Sequence, residues 1–141
     1  MDQILSYLPP FDGLLPKWLA LVSVVSAANS VQAYISKSYT SELYNGRLAD
    51  GSSHTNPHSS RIFGTWTFLS SVIRLSAAYN ITNPAVYDLA AWTFGIALVH
   101  FVLEWLVYGS AQLKGRFVFP LITASGSLAW ILTQRDAYLG L

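Results

Sequence analysis

An all-α membrane protein, a four-transmembrane-helix up-and-down bundle, is the fold class this sequence predicts, on three observations. Hydrophobic residues make up 52% of the 141 and charged residues 11%, giving a mean hydropathy of +0.39, more than a soluble domain of this size solvates. Four windows approach the roughly 20 apolar residues that a helix needs to cross about 30 Å of hydrocarbon. The links after the second and third windows are short, so successive helices must run antiparallel. Residues 1–141 read as a single membrane domain.

Taken in order, residues 1–16 are an interfacial lead-in, because LPPFDGLLPKW puts prolines and Gly13 where a helix cannot continue. Asp2 and Asp12 occupy the place of the early positive region of a cleavable signal peptide, so that reading is set aside. The first helix, 18–35, carries no charge and is flanked by Lys17 and Lys37. A flexible polar loop follows over 36–62, rich in Ser, Gly, Asn and His. The second helix, 63–79, contains Arg74. The third, 85–108, is capped by Asn83, takes Pro84 at its first position and ends before Gly109, where a left-handed residue is wanted. The fourth, 117–132, is uncharged. No internal repeat of the inverted-transporter kind is present.

Composition excludes several functions. A net charge of +1 leaves no basic excess for nucleic acid, and the absence of cysteine removes thiolate nucleophiles, disulfides and Cys-ligated metal. No GxGxxG, no GxxxxGK[ST] and no Tyr followed four residues later by Lys occurs, so dinucleotide chemistry has no site. A membrane di-iron oxygenase needs about eight histidines. This chain has His54, His58 and His100, and Pro57 interrupts the first two. No catalytic, cofactor-binding or metal-ligating residue is assigned, and the reading is a protein that is not an enzyme.

The remaining candidates are structural or partner-docking residues. Ionisable groups inside a membrane helix are costly and demand partners. A turn centred near residues 81 and 82 brings Arg74 level with Ala90, one turn from Asp88, and Arg61 opposite Val102, near Glu104. Two ion pairs, Arg74 with Asp88 and Arg61 with Glu104, are therefore expected to brace the hairpin. His100 and Glu104 share a helix face. Asn29 and Gln32, with Ser26, form a stripe suited to interhelical hydrogen bonds, and the membrane serines read as packing residues. Trp18 and Trp105 fit an interfacial belt, whereas Trp66 and Trp92 suit the role of packing anchors. Small residues four apart, Ala91 with Gly95 and Ser125 with Ala129, point to a homodimer. Lys37, Arg47, Arg61, Lys114 and Arg116 outnumber Lys17 and Arg135, which favours cytosolic loops and lumenal termini.

Beyond these features, NSVQAY at 29–34, FGTWTFLSSVIRL at 63–75, AAYNITNPAVY at 77–87 and HFVLEWLVYGSA at 100–111 resemble the ergosterol biosynthetic protein 28 family. The lead-in SYLPPFDGLLPKWL is similar to the fungal branch. The resemblance implies a non-catalytic scaffold in the endoplasmic-reticulum membrane that tethers the enzymes of sterol C-4 demethylation. Its implied partners are the sterol C-4 methyl oxidase, the C-3 sterol dehydrogenase (C-4 decarboxylase), the 3-keto sterol reductase and the sterol C-24 methyltransferase, together with membrane lipid or sterol. The chain departs from the family at its end, QRDAYLGL, which lacks a basic tail. The alternative is a small sterol- or lipid-binding or transport protein whose intramembrane charges, Arg74, Asp88, His100 and Glu104, form a path.

Overall fold

The computed structural model of the protein describes residues 8, 9 and 13–140, so most of the expected lead-in over 1–16 lies outside the described residues. Among the described residues every regular element is helical. The elements are α1 (Leu15–Ile35), α2 (Ser38–Leu43), α3 (Pro57–Ala78), α4 (Pro84–Leu106), a 3₁₀ turn (Gly115–Phe117), α5 (Val118–Thr133) and α6 (Arg135–Leu139).

Local chemistry sets the ends. The α3 helix starts six residues before the expected 63, because Asn56 caps it: the Asn56 side chain accepts from Ser59 N (2.8 Å), Ser59 Oγ accepts from Asn56 N (3.0 Å), and Pro57 follows. Asn83 caps α4 as expected, accepting from Ala85 N at 3.0 Å, and Gly109 takes the left-handed conformation (φ 68°) just beyond its end.

The alternation of direction is visible in end-to-end contacts. Ser60 at the start of α3 donates to the Ala33 carbonyl near the end of α1 (2.7 Å). Tyr87 at the start of α4 donates to the Ile131 carbonyl near the end of α5 (2.5 Å), and Trp18 at the start of α1 donates to Ser127 of α5 (2.8 Å).

Three of the four long helices, not the expected four, are long and apolar enough to cross a membrane: Leu15–Ile35, Pro84–Leu106 and Gly115–Thr133. The α3 helix has the length, 22 residues, but His58, Arg61, Arg74 and its hydroxyl-bearing side chains lower its hydropathy. It is held by α1 instead. A Cβ at Gly64 would lie 2.7 Å from the Tyr34 ring and 2.9 Å from the Ser30 carbonyl oxygen, so only glycine allows the two backbones to come this close. Tyr34 and Thr65 share a short hydrogen bond across the same seam. Buried serines here satisfy their hydroxyls on the preceding turn, Ser30 on Ala27 and Ser71 on Phe68, as packing residues do.

The segment expected as a polar loop, 36–62, contains α2 and the first turn of α3 and is tied to the α4–α5 connection. Gly46 N donates to the Ser110 carbonyl (2.8 Å), the Asn45 amide bonds the backbone of Gln112 and Lys114, and Arg116 pairs with Glu42 (2.8 Å). Two hydrophobic clusters result. One, at the termini end, centres on Leu19, Tyr87, Phe94 and Ile131, and the other, at the loop end, on Leu43, Phe101 and Phe117.

Candidate functional site

Between α1, α3, α4 and α5 lies a mainly apolar cavity of about 190 Å³. Its walls include Val25, Phe63, Trp66, Phe94, Phe101 and Phe119, and Asn29 and Arg74 also line it. Arg74, 7% exposed, is the buried charge of the bundle core. Its Nε donates to Thr93 Oγ1 (3.0 Å), its Nη1 to Ser26 Oγ (3.3 Å), and its Cζ lies 4.0 Å from the Phe94 ring centroid.

The expected Arg74–Asp88 pair does not form. Asp88 binds the Arg135 guanidinium from α6 through both carboxylate oxygens at 2.9 Å each. Asp88 and Thr93 are five residues apart, roughly 140° around the helix, so the face of α4 that meets Arg74 turns Asp88 away. A hairpin register fixes depth along the axis and leaves rotation open.

The expected Arg61–Glu104 pair does not form either. Arg61 is exposed at the start of α3, and Glu104 accepts a short hydrogen bond from Ser110 as the chain turns back after α4. Among the described residues the ion pairs are Arg116–Glu42 and Arg135–Asp88.

A second, more polar cleft of about 520 Å³ opens at the loop end, lined by Tyr44, His54, His100, Glu104 and Ser110 among others. The Tyr44 hydroxyl and His100 Nε2 share a 2.6 Å hydrogen bond, and the Trp66 ring stands edge-on to His100 at 5.2 Å. Burial, then the nearby Glu104 carboxylate, pushes the Tyr44 hydroxyl well above the ordinary tyrosine range. His54 Nε2 is buried without a hydrogen-bond partner, and no group of three His, Cys, Asp or Glu able to hold a metal is present among the described residues.

The other sequence candidates separate. Trp66 lines both openings, whereas Trp92 is 67% exposed on the outer face of α4. Asn29 faces the cavity and Gln32 is exposed, and neither makes a side-chain hydrogen bond to another helix among the described residues, contrary to the expected stripe. Of the stripe, Ser26 carries an interhelical bond, accepting from Arg74, and Tyr34 and the Ala33 carbonyl, outside the stripe, carry others. Trp18, expected in the interfacial belt, bonds Ser127 and packs on Trp130 at 6.3 Å. Sequence reasoning missed Tyr44, Thr93, Ser110 and Arg135; the sequence carries no signal for them, because each partnership joins residues on different elements or across a turn.

The family described as Erg28 like protein matches residues 15–129. The chain belongs to the Erg28 family. It is 41% identical over 127 residues to ergosterol biosynthetic protein 28 of Candida albicans, covering 90% of this chain and 89% of that one. To the protein of the same name in Saccharomyces cerevisiae it is 38% identical (91% and 84% covered), and to the human homolog 37% (86% and 85%). No solved structure matches. The family match spans every residue named above in both the Arg74 cavity and the polar cleft.

Proposed function

We propose that this chain acts in ergosterol biosynthesis as a non-catalytic, multi-pass scaffold of the endoplasmic-reticulum membrane that tethers the enzymes of sterol C-4 demethylation. Its partners in this reading are the C-4 methyl oxidase, the C-3 dehydrogenase (C-4 decarboxylase), the 3-keto reductase and the C-24 methyltransferase. Holding successive enzymes together raises the effective concentration each intermediate meets, with no new chemistry.

The observation that carries the reading is the outer face of α4. Leu89, Trp92, Ile96, Val99, Leu103 and Leu106 recur at spacings of three and four, and each is between 40% and 67% exposed. Gly95 sits beside this row with nothing within 4 Å of the position a Cβ would take, so a neighbouring helix can approach closely there. The apolar row suits lipid and a second transmembrane helix alike, and it is the open position at Gly95 that suits it to close helix packing. Family membership supplies the pathway.

The test is affinity purification of the tagged protein from its native membrane in mild detergent, with mass spectrometry against an unrelated membrane control. Enrichment of the C-4 demethylation enzymes, lost with Gly95→Leu, is the expected result. Gly95→Leu is expected to leave stability within about 0.5 kcal/mol, because no atom of this chain occupies the space it fills. Recovery of the chain with itself alone would transfer the α4 face to a homodimer and overturn the scaffold reading.

A further inference from the structure

Among the described residues Arg74 is a buried guanidinium without a carboxylate, an incomplete arrangement. Arginine stays charged and offers five N–H donors in a planar fork, and burying it without an anion carries a large desolvation cost. Arg74 has two neutral hydroxyls and one aromatic face around it, and its Nη2 has no hydrogen-bond partner among the described residues. The described carboxylates are engaged elsewhere: Asp88 on Arg135, Glu42 on Arg116, Glu104 on Ser110 and Asp50 on Ser52. Asp136 is exposed on α6.

The space in front of Arg74 is apolar and has a way in. The α1 helix packs along α3, and α5 packs on α4, but α1 and α5 meet chiefly at one end, where Trp18 reaches Ser127 and Trp130. Beyond Trp18 the two helices leave a lateral gap bordered by Leu21, Val25 and Phe119, all exposed on the outside and all lining the cavity. This opening is apolar and leads from the outer surface toward the cavity that Arg74 lines.

We propose that this cavity binds a single carboxylate on an apolar body, the carboxylate seated on the free edge of the Arg74 guanidinium and the body extending between α1 and α5 into the bilayer. A carboxylate matches the guanidinium fork and supplies the missing counter-charge, which an alcohol of the same body does not. Asn29 and Ser70, both on the cavity wall and without side-chain hydrogen bonds among the described residues, stand ready as further partners for its oxygens. Two sources share this chemistry, a fatty acid and a steroid acid. The proposal does not rest on the scaffold reading, because the binding is measured with no other protein present.

The experiment is a scintillation-proximity assay on the purified full chain in detergent, with tritiated oleate and tritiated 5β-cholanic acid as probes. Saturable binding of at least one acid is expected. Oleyl alcohol should compete about tenfold or more less well than oleate where oleate binds, and 5β-cholan-24-ol likewise against cholanic acid. The acid that binds more tightly identifies the body as chain or fused ring. Arg74→Gln should abolish saturable binding. If that variant does not fold, Val25→Phe, which narrows the lateral gap and keeps Arg74, decides: reduced binding supports the site and unchanged binding overturns it. Absence of saturable binding by both acids, equal competition by the alcohols, or full binding by a folded Arg74→Gln protein would each overturn the proposal.

Discussion

The helix α1 has two sides with opposite characters. Toward α3 it is closed: Gly64 admits the Ser30 carbonyl, Ser60 bonds Ala33, and Tyr34 bonds Thr65. Toward α5 it is closed at one end by Trp18, then open onto a cavity with a charge at its wall. Lipid tails are as apolar as leucine, so helices in a bilayer gain little from burying oily surface and associate where small residues permit close backbones and hydroxyls find partners. On the α3 side these contacts recur at Ser30, Ala33 and Tyr34, whereas on the α5 side the hydrogen bond is at Trp18, at one end.

The largest expected effect on this contrast comes from Gly64→Leu, which places a side chain where the Tyr34 ring and Ser30 carbonyl already stand at 2.7 and 2.9 Å. A loss of about 1–3 kcal/mol or failure to fold is expected in detergent-solubilised thermal unfolding, and an unchanged melting temperature would dissolve the contrast. Next is Trp18→Phe, which removes the 2.8 Å bond to Ser127 and with it the clasp between α1 and α5. It is expected to cost about 1 kcal/mol in the same unfolding measurement and to increase solvent accessibility of a cysteine introduced at Val25.

A smaller effect is expected with pH. Burial raises the folded-state pKa of Tyr44 above its ordinary 10, so the neutral hydroxyl is favoured in the fold. Stability from this group is complete below pH 10 and falls as pH rises past it, because the unfolded chain ionises first. Melting temperatures measured from about pH 9 to 11 should decline, and Tyr44→Phe should make that decline shallower. An unchanged slope would mean that the loop-end cleft does not exclude water from Tyr44.

Much of the fold was legible in one dimension. The four long helices follow from apolar windows, and Asn83, Pro84 and Gly109 mark the ends of α4 because capping is a property of adjacent residues. The earlier start of α3 was legible too, in Asn56, Pro57 and Ser59. The site was less so. Arg74 stood out as a charge in an apolar helix, but its partners Ser26 and Thr93 are 48 and 19 residues away, and Asp88 was the nearer carboxylate by depth alone.

The sequence by itself determined the helical class, the order of the long helices and the family, since hydropathy, caps and short sequence motifs are local and add along the chain. Tertiary structure alone decided which way each helix is turned. Rotation about the axis placed Asp88 on Arg135, left Arg74 facing a cavity with no carboxylate among the described residues that line it, and set Gly64 against Tyr34 while Gly95 faces open space. The physical reason is that an α-helix repeats every 3.6 residues whatever its surroundings, so its angle to its neighbours is fixed by contacts with all of them at once.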